Sequence, residues 1–211
     1  MDAIVVDIDD TIVNTNRRRY ITWCKVLGRE IPFRDVESSS SEEILEKYGD
    51  SNRRIWEKFW MVILCVNEIG VKLLELDKPI LHVQEILKKW SEKFKLIYLT
   101  ARTENMRQLT LYELGKFGFP TIDVELKMFE LDDWKNYSSI SSVVKTRSVK
   151  FAEILTDCNV FRVVDDYPDF FQAYNYPSVP DRIGLLRGKR FSKEQYFANG
   201  ATRVIESWDE L

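Results

Sequence analysis

The stretch Ala3-Ile-Val-Val-Asp-Ile-Asp-Asp-Thr11 decides the fold, because four apolar residues lead directly into a cluster of acids. Its hydrophobicity is continuous and not alternating, which is typical of a strand buried on both faces of a parallel sheet. Two later segments repeat the design, Lys95-Leu-Ile-Tyr-Leu-Thr100 and Val160-Phe-Arg-Val-Val-Asp165. We predict that all three are buried strands with a polar residue at the carboxyl end.

Helical patterns separate these strands. Residues 79–93 have apolar side chains at helical spacing, with Pro79 in the expected first turn. Thr103 is predicted to cap a helix that runs to about Lys116. Further strands are predicted at 122–128, which alternates and is expected at a sheet edge, and at 182–186 and 203–205. This alternation predicts an α/β fold, a Rossmann-like parallel sheet with helices on both faces.

The pattern changes between the first and second strands. Residues 15–78 contain no convincing strand, and helices are predicted at 20–27, 42–48 and 55–69 with a serine-rich loop at 34–41. Such a segment is too long for a simple crossover between strands. We therefore predict a helical cap subdomain at 15–78, inserted into a catalytic core formed by residues 1–14 and 79–211.

Composition excludes several classes of protein. Of 211 residues, 45% are hydrophobic, so a sizeable core can form, and the net charge of −3 gives no reason to expect nucleic acid as a partner. The longest apolar run, 59–66, is far shorter than the ~20 residues of a membrane span, and acids occupy the start of the chain where a secretory leader would be apolar. Three widely spaced cysteines indicate reduced thiols, and hence a cytoplasmic protein.

Acidic side chains follow the predicted strands. Asp7 and Asp9 come after the first strand, Thr100 ends the second, and Asp165 and Asp166 follow the third. The carboxyl ends of parallel strands are where open α/β sheets bind ligands. Clustered carboxylates repel one another unless a cation neutralises them, and oxygen ligands without histidine or cysteine favour Mg²⁺ over zinc. The sequence therefore predicts a magnesium site.

These residues give the chain a resemblance to the haloacid dehalogenase-like (HAD) superfamily, most of whose members are phosphatases. Its first motif resembles Ile4-Val-Val-Asp-Ile-Asp-Asp-Thr11, its second is Thr100 after an apolar strand, and its fourth resembles Val163-Val-Asp-Asp-Tyr-Pro-Asp169. The third motif is a lysine that opens the helix before the last of these strands. The match covers residues 1–14 and about 79–211, and a helical insertion after the first motif is a common cap in this family.

The resemblance implies a Mg²⁺-dependent phosphatase with an aspartyl-phosphate intermediate. Asp7 would be the nucleophile, and Asp9 would act as general acid and then as general base. The metal would be held by Asp7, the backbone carbonyl of Asp9 and Asp165. Either Asp166 or Asp169 would support it, directly or through water.

The resemblance also implies residues that bind the substrate. Thr100 and the lysine would bind the phosphoryl oxygens, and Thr11 is expected to brace the loop. Lys150 fits the lysine position best, since an apolar helix is predicted to begin there, and Lys145 is the alternative. Arg102 lies close enough to Thr100 to reach a substrate anion, although a role in capping the sheet edge is equally consistent with the sequence.

Other functions remain open at this stage. A dehalogenase needs neither Asp9 nor the cation, and a phosphorelay receiver has its acids in a different order. A phosphomutase shares every motif, and a non-catalytic HAD-like module would bind partners through its cap. The expected substrate is a small phosphorylated molecule whose identity the sequence does not reveal. The aromatic helix at 55–69 is expected in the cap core or in a homodimer contact.

Overall fold

The computed structural model describes residues 2–64, 68–135 and 140–211. Its strands are β1 (Asp2–Val6), β2 (Val13–Asn14), β3 (Lys78–Pro79), β4 (Lys95–Thr103), β5 (Glu125–Phe129), β6 (Asn159–Asp165), β7 (Asp181–Leu185) and β8 (Arg203–Ile205). Its α-helices are α1 (Asn16–Leu27), α2 (Phe33–Ser38), α3 (Ser41–Gly49), α4 (Arg53–Ile63), α5 (Glu68–Leu73), α6 (Val83–Ser91), α7 (Arg107–Lys116), α8 (Leu131–Lys135), α9 (Ile140–Asp157), α10 (Phe171–Tyr174) and α11 (Lys193–Ala198).

A six-stranded sheet has the order β5-β4-β1-β6-β7-β8, and each pair of neighbouring strands is parallel. The central strand β1 lies between β4 and β6, with Val6 opposite Tyr98 on one side and Val164 on the other. The three segments that end in an acid or a threonine are therefore adjacent, and their carboxyl ends lie on the same side of the sheet. The predicted α/β class is confirmed, and so is the position of the alternating strand, which is β5, as the outermost strand of the sheet.

The central strands are covered by apolar side chains, which explains their continuous hydrophobicity. Val5, Leu99 and Val163 belong to a buried cluster that also contains Phe151 and Phe171 from α9 and α10. A strand flanked by other strands and buried against helices has no solvent-facing side on which polar residues would be favoured.

Several helix boundaries differ from the sequence-based predictions. The helix expected at 79–93 is α6, which begins at Val83 because His82 has a left-handed backbone (φ 66°). Thr103 makes no side-chain cap, and a 3₁₀ turn at Glu104–Met106 precedes α7. The helix expected to begin at Lys150 is α9, which begins at Ile140, so Lys150 lies well inside it.

The chain divides into two compact units. One comprises Met1–Ile12, Pro79–Arg187 and Phe191–Leu211, and the other comprises Val13–Lys78 and Gly188–Arg190. Among the described residues of the second unit, the strands are short β2 and the first residue of β3, and the other regular elements are helices. It includes α2 where a serine-rich loop was predicted, and the helix predicted at 55–69 is represented by α4 and α5, with residues 65–67 outside the described part of the chain.

The helical unit has an apolar core of its own. Trp23 of α1 stacks on Phe59 of α4 with ring centroids 4.1 Å apart, and Ile31, Val36 and Ile44 complete the buried cluster. A capping box at Ser40 starts α3, because the Ser40 hydroxyl accepts from the Glu43 backbone while the Glu43 carboxylate accepts from the Ser40 backbone.

Within the described ranges, none of the helices combines the length and the apolar character that a bilayer span requires.

Candidate active site

Asp7 and Asp9 lie on the turn that follows the central strand β1. The Asp7 backbone N–H donates to the Val164 carbonyl of β6, so this residue is still held by the sheet. The chain then turns, with Asp10 in a left-handed conformation (φ 59°). As a result the Asp7 side chain is buried, whereas that of Asp9 is 33% exposed. Two acids that are two residues apart are therefore placed in different environments.

Asp7 belongs to a cluster of buried carboxylates. Asp7, Asp165 and Asp166 each place a carboxylate oxygen within 4.8 Å of the others, and this is the group of potential metal ligands found among the described residues. Of the two acids proposed from the sequence as support for a metal, Asp166 lies in the cluster. Asp169 lies outside it and accepts a hydrogen bond from Asn199 Nδ2 at 3.3 Å.

Thr11 braces this cluster, as the sequence analysis predicted. Its buried hydroxyl oxygen is 3.2 Å from both Asp7 Oδ2 and Asp166 Oδ1, and it accepts from the Asp166 backbone N–H at 3.1 Å. Trp208 Nε1 donates to the Thr11 carbonyl at 2.9 Å. The turn after β1 is thus tied to the turn after β6.

Arg147 of α9 supplies a positive charge to the cluster, which the sequence analysis missed. Its guanidinium is fully buried, and Nη2 lies 2.8 Å from Asp7 Oδ1, 2.6 Å from Asp165 Oδ2 and 2.9 Å from the Leu99 carbonyl. The guanidinium carbon also lies 4.3 Å from the centre of the Phe170 ring. Arg147 thereby connects Asp7, which follows β1, and Asp165, which ends β6, with Leu99 inside β4.

Lys150, the lysine suggested by the sequence, has its contact outside the acid cluster. Lys150 Nζ is 3.9 Å from Glu130, and the residue that contacts Asp7 and Asp165 is Arg147, about one helical turn earlier. The sequence did contain a signal. Val143, Arg147 and Phe151 recur every four residues on the buried face of α9, so the arginine interrupts an apolar stripe.

Tyr174 holds Arg147 and Asp165 together from α10. Its buried hydroxyl donates to Asp165 Oδ2 at 2.7 Å and accepts from Arg147 Nε. Asp165 Oδ1 accepts from the Tyr167 backbone N–H at 2.9 Å. Because each oxygen of Asp165 has a donor, the orientation of this carboxylate is well defined.

Burial and neighbouring charge control the ionisation of Asp7. Loss of hydration, followed by the negative charge of Asp165, raises the pKa of Asp7 from 3.8 to about 8, although Arg147 opposes the shift. Burial is the main cause of this shift, so the site disfavours the ionised form of Asp7 and added positive charge would favour it.

Arg102 of β4, for which the sequence suggests contact with a substrate anion or a role in capping the sheet edge, is bonded to Asp9 in the structure. Its Nε donates to Asp9 Oδ2 at 2.9 Å and its Nη2 to Asp9 Oδ1 at 2.8 Å. On the other side, Nη1 donates to Glu113 at 2.6 Å and to Thr110 at 3.3 Å, both on α7. The structure therefore assigns the guanidinium to the protein's own acids, because α7 brings Glu113 to a position that sequence spacing could not reveal.

Thr100 lies in β4, one residue after Leu99, whose carbonyl accepts from Arg147, and two residues before Arg102. Its side chain is buried, and its hydroxyl accepts from the Arg102 backbone N–H at 3.1 Å. The hydroxyl hydrogen is thereby left to donate elsewhere, which is what an interaction with an anion requires.

The donor set of the acid cluster fits Mg²⁺. Three aspartates provide hard oxygen ligands, and a small divalent cation is usually bound in proteins by one or two carboxylates together with waters and phosphate oxygens. A divalent cation would also favour the ionised form of Asp7, which burial and the charge of Asp165 disfavour.

Comparisons with known proteins give structural likeness without sequence likeness. No protein-family model and no curated sequence matches the chain. A predicted phosphatase from Clostridium acetobutylicum superposes with a TM-score of 0.71 at 13% identity, covering 99% of this chain and 95% of that one. A HAD-like family hydrolase from Streptococcus pneumoniae gives 0.67 at 11% identity, with 99% and 95% covered.

A HAD family hydrolase from Deinococcus radiodurans, solved with bound phosphate and sodium, gives a TM-score of 0.63 at 13% identity, with 100% of this chain and 93% of that one covered. These likenesses show that the chain has the HAD-like fold, which the resemblance in the sequence implied.

Proposed function

We propose that the protein is a Mg²⁺-dependent phosphohydrolase that cleaves a phosphomonoester through an aspartyl-phosphate on Asp7. The observation that carries the proposal is the different placement of the two aspartates after β1. Asp7 is buried beside Arg147, and Asp9 is partly exposed and bound to Arg102. A nucleophile and a separate acid/base are the two groups that this chemistry requires.

In the first step, an Asp7 oxygen attacks phosphorus and the bond from phosphorus to the leaving oxygen breaks. Asp9 donates a proton to that oxygen, so an alcohol leaves. In the second step, water attacks the phosphoryl group, Asp9 accepts a proton from it, and inorganic phosphate and the Asp7 carboxylate are released. Covalent catalysis divides one difficult displacement into two easier ones, and a positioned acid/base contributes ~10²–10⁴-fold.

Asp7, Asp165 and Asp166 would hold the cation together with the backbone carbonyl of Asp9. The cation would supply positive charge between two anions that must approach each other. The arrangement of these carboxylates within 4.8 Å of one another supports this assignment.

Thr100 and Arg147 are the residues that we assign to the phosphoryl oxygens. Arg147 replaces Lys150 in this role because its Nη2 is hydrogen-bonded to Asp7, the proposed attacking group, while its buried Nη1 has no hydrogen-bond partner among the described residues. The substrate is proposed to be a small phosphorylated molecule, and the neighbour that holds phosphate is consistent with it. Cytoplasmic location and a homodimer through the helical unit stay predictions.

The test is hydrolysis of p-nitrophenyl phosphate by the purified chain with Mg²⁺, after chelation, and after Mg²⁺ is added back. We expect turnover that chelation abolishes and Mg²⁺ restores. Asp166→Asn should raise the Mg²⁺ concentration needed for half-maximal turnover, and Asp169→Asn, which changes a nearby acid outside the cluster, should not.

Undiminished turnover after rigorous metal removal would reject the metal assignment alone. Absence of turnover with aryl phosphate and with a panel of phosphorylated metabolites would reject the phosphatase and favour a binding module.

A further inference from the structure

Arg102 is committed to protein acceptors. Its four hydrogen bonds to Asp9, Glu113 and Thr110 occupy at least four of the five N–H groups of a guanidinium. A residue used in this way has little capacity left for a substrate anion. Its side chain is only 2% exposed, which also separates it from solvent.

The anchoring of Arg102 comes from α7. Glu113 and Thr110 are both buried, and Glu113 makes the short 2.6 Å ion pair with Nη1. Arg102 is thus fixed by a helix on one side and presents Nε and Nη2 to Asp9 on the other. A planar two-pronged donor specifies the plane of the carboxylate as well as its position.

We propose that Arg102 is a positioning residue that fixes the orientation of Asp9 for proton transfer. The proposal rests on the proposed function, in which Asp9 is the acid/base. The buried Arg102 donates to both carboxylate oxygens of Asp9, while a third of the Asp9 side chain remains exposed. It can therefore be held rigidly and still meet a leaving oxygen or a water molecule.

The expected consequence is a loss of turnover without a loss of binding. A misplacement of a catalytic group by about 1 Å can cost ~10²-fold in rate. Arg102→Lys keeps the positive charge but replaces the planar fork by a single ammonium, so Asp9 should lose its defined orientation. Because Glu113 keeps a cation beside it, this variant should also fold.

The experiment measures kcat, KM and the Kd for inorganic phosphate in Arg102→Lys and in a matched control, Arg107→Lys. Arg107 makes a two-pronged pair with Glu104 near the start of α7 but is not bonded to Asp9 in the contacts described. We expect Arg102→Lys to lower kcat for an alkyl phosphate by ~10- to 100-fold, with KM and the phosphate Kd within about threefold of the parent. The control should leave all three constants unchanged.

A rise in KM and in the phosphate Kd with little change in kcat would overturn the proposal, because it would make Arg102 a substrate-binding residue. Equal losses in both variants would overturn it too, since they would indicate a structural effect at this end of α7.

A measurement without turnover separates this proposal from the proposed function. The side-chain carboxyl ¹³C resonance of Asp9 should shift in Arg102→Lys and stay in place in Arg107→Lys. An unmoved Asp9 resonance in Arg102→Lys would overturn the positioning role even in an active enzyme. A parent chain that hydrolyses no phosphate but shows the shift would overturn the proposed function and retain the Arg102–Asp9 pairing.

Discussion

Two arginine sites lie near the carboxyl edge of the sheet and differ in their contact with solvent. At the first, Arg147 and Asp7 have side-chain exposures of 0% and 7%, and the arginine is shared with Asp165. At the second, Arg102 is 2% exposed but its partner Asp9 is 33% exposed. Both arginines are anchored from a helix or helical turn, by Tyr174 in one case and by Glu113 in the other.

The difference indicates how one turn of chain can provide two kinds of acid. Buried charge is strongly affected by neighbouring groups and weakly by solvent, so Asp7 depends on Arg147 and on any bound cation. Asp9 keeps access to water, which a group that exchanges protons with solvent needs. The predictions below test whether this contrast in burial is also a contrast in chemical role.

Asp7→Asn should have the largest effect. The amide keeps the volume of the side chain but is not a nucleophile, so turnover should fall by ~10⁴-fold or more. The measurement is steady-state hydrolysis of an aryl phosphate, with circular dichroism to confirm the fold. Turnover within tenfold of the parent would place the nucleophile elsewhere.

The same variant tests the burial of Asp7 through the pH dependence of stability. Because the pKa of Asp7 is raised to about 8, the native state retains a proton that the unfolded state releases above pH 3.8. The contribution of Asp7 is therefore most favourable at low pH and is lost as pH rises towards 8. Without metal, Asp7→Asn should raise Tm more at pH 8 than at pH 5, and an equal increase at both would contradict the shift.

How much the sequence could predict is clear from the central strands. β1, β4 and β6 were found because each is a continuous apolar run, a pattern that depends on the burial of the strand itself. Asp7, Asp9 and Asp165 could be placed for the same reason, since the carboxyl ends of parallel strands meet at one edge.

The partners of these acids could not be predicted so directly. Arg147 reaches Asp7 across 140 residues of chain, and Arg102 reaches Asp9 across 93. Such pairs are set by how helices pack against the sheet. The sequence favours Lys150, at the expected helix start, whereas the residue that contacts Asp7 is Arg147, inside the helix. The helix start predicted at Lys150 lies ten residues after Ile140, where α9 begins, because serines and a threonine interrupt the apolar pattern of its first turns.

Asp9→Asn should slow catalysis at the second site, and the step that is slowed should depend on the leaving group. An aryl oxygen of low pKa needs little protonation, so phosphorylation of Asp7 should proceed, but the second step still needs a base. We expect a burst of about one equivalent of phenol and accumulation of phosphorylated protein, which mass spectrometry can detect. With an alkyl phosphate both steps should be slow, by ~10²–10⁴-fold overall, and without a burst. If the variant hydrolyses both substrates at the parent's rate, Asp9 is not the general acid and base.

Arg147→Lys should remove most of the hydrogen bonds that hold the first site together. One ammonium cannot reproduce the contacts of Nη2 with Asp7, Asp165 and the Leu99 carbonyl together with that of Nε to Tyr174. We expect kcat to fall by ~10²–10³-fold, the range for loss of a preorganised donor. Lys150→Ala is the control and should change kcat little. The reverse ranking in steady-state assays would restore the lysine interpretation of the sequence.

The smallest effect should come from Tyr174→Phe, compared with Tyr98→Phe. Both tyrosines are buried, but the Tyr98 hydroxyl donates to the Pro120 carbonyl at 3.1 Å, whereas Tyr174 joins Arg147 to Asp165. Each variant should lose ~1–3 kcal/mol of unfolding free energy, measured by denaturant titration, because a buried polar partner is left unsatisfied.

Only Tyr174→Phe should also weaken Mg²⁺ binding, by ~10-fold in a calorimetric titration, because residues that orient metal ligands contribute to affinity on this scale. Asp165 would keep Arg147 and the Tyr167 backbone as donors, which is why the loss should not be larger. If both variants bind Mg²⁺ as the parent does, Arg147 and the Tyr167 backbone are sufficient to orient Asp165, and the anchoring of the first site from α10 is structural and not functional.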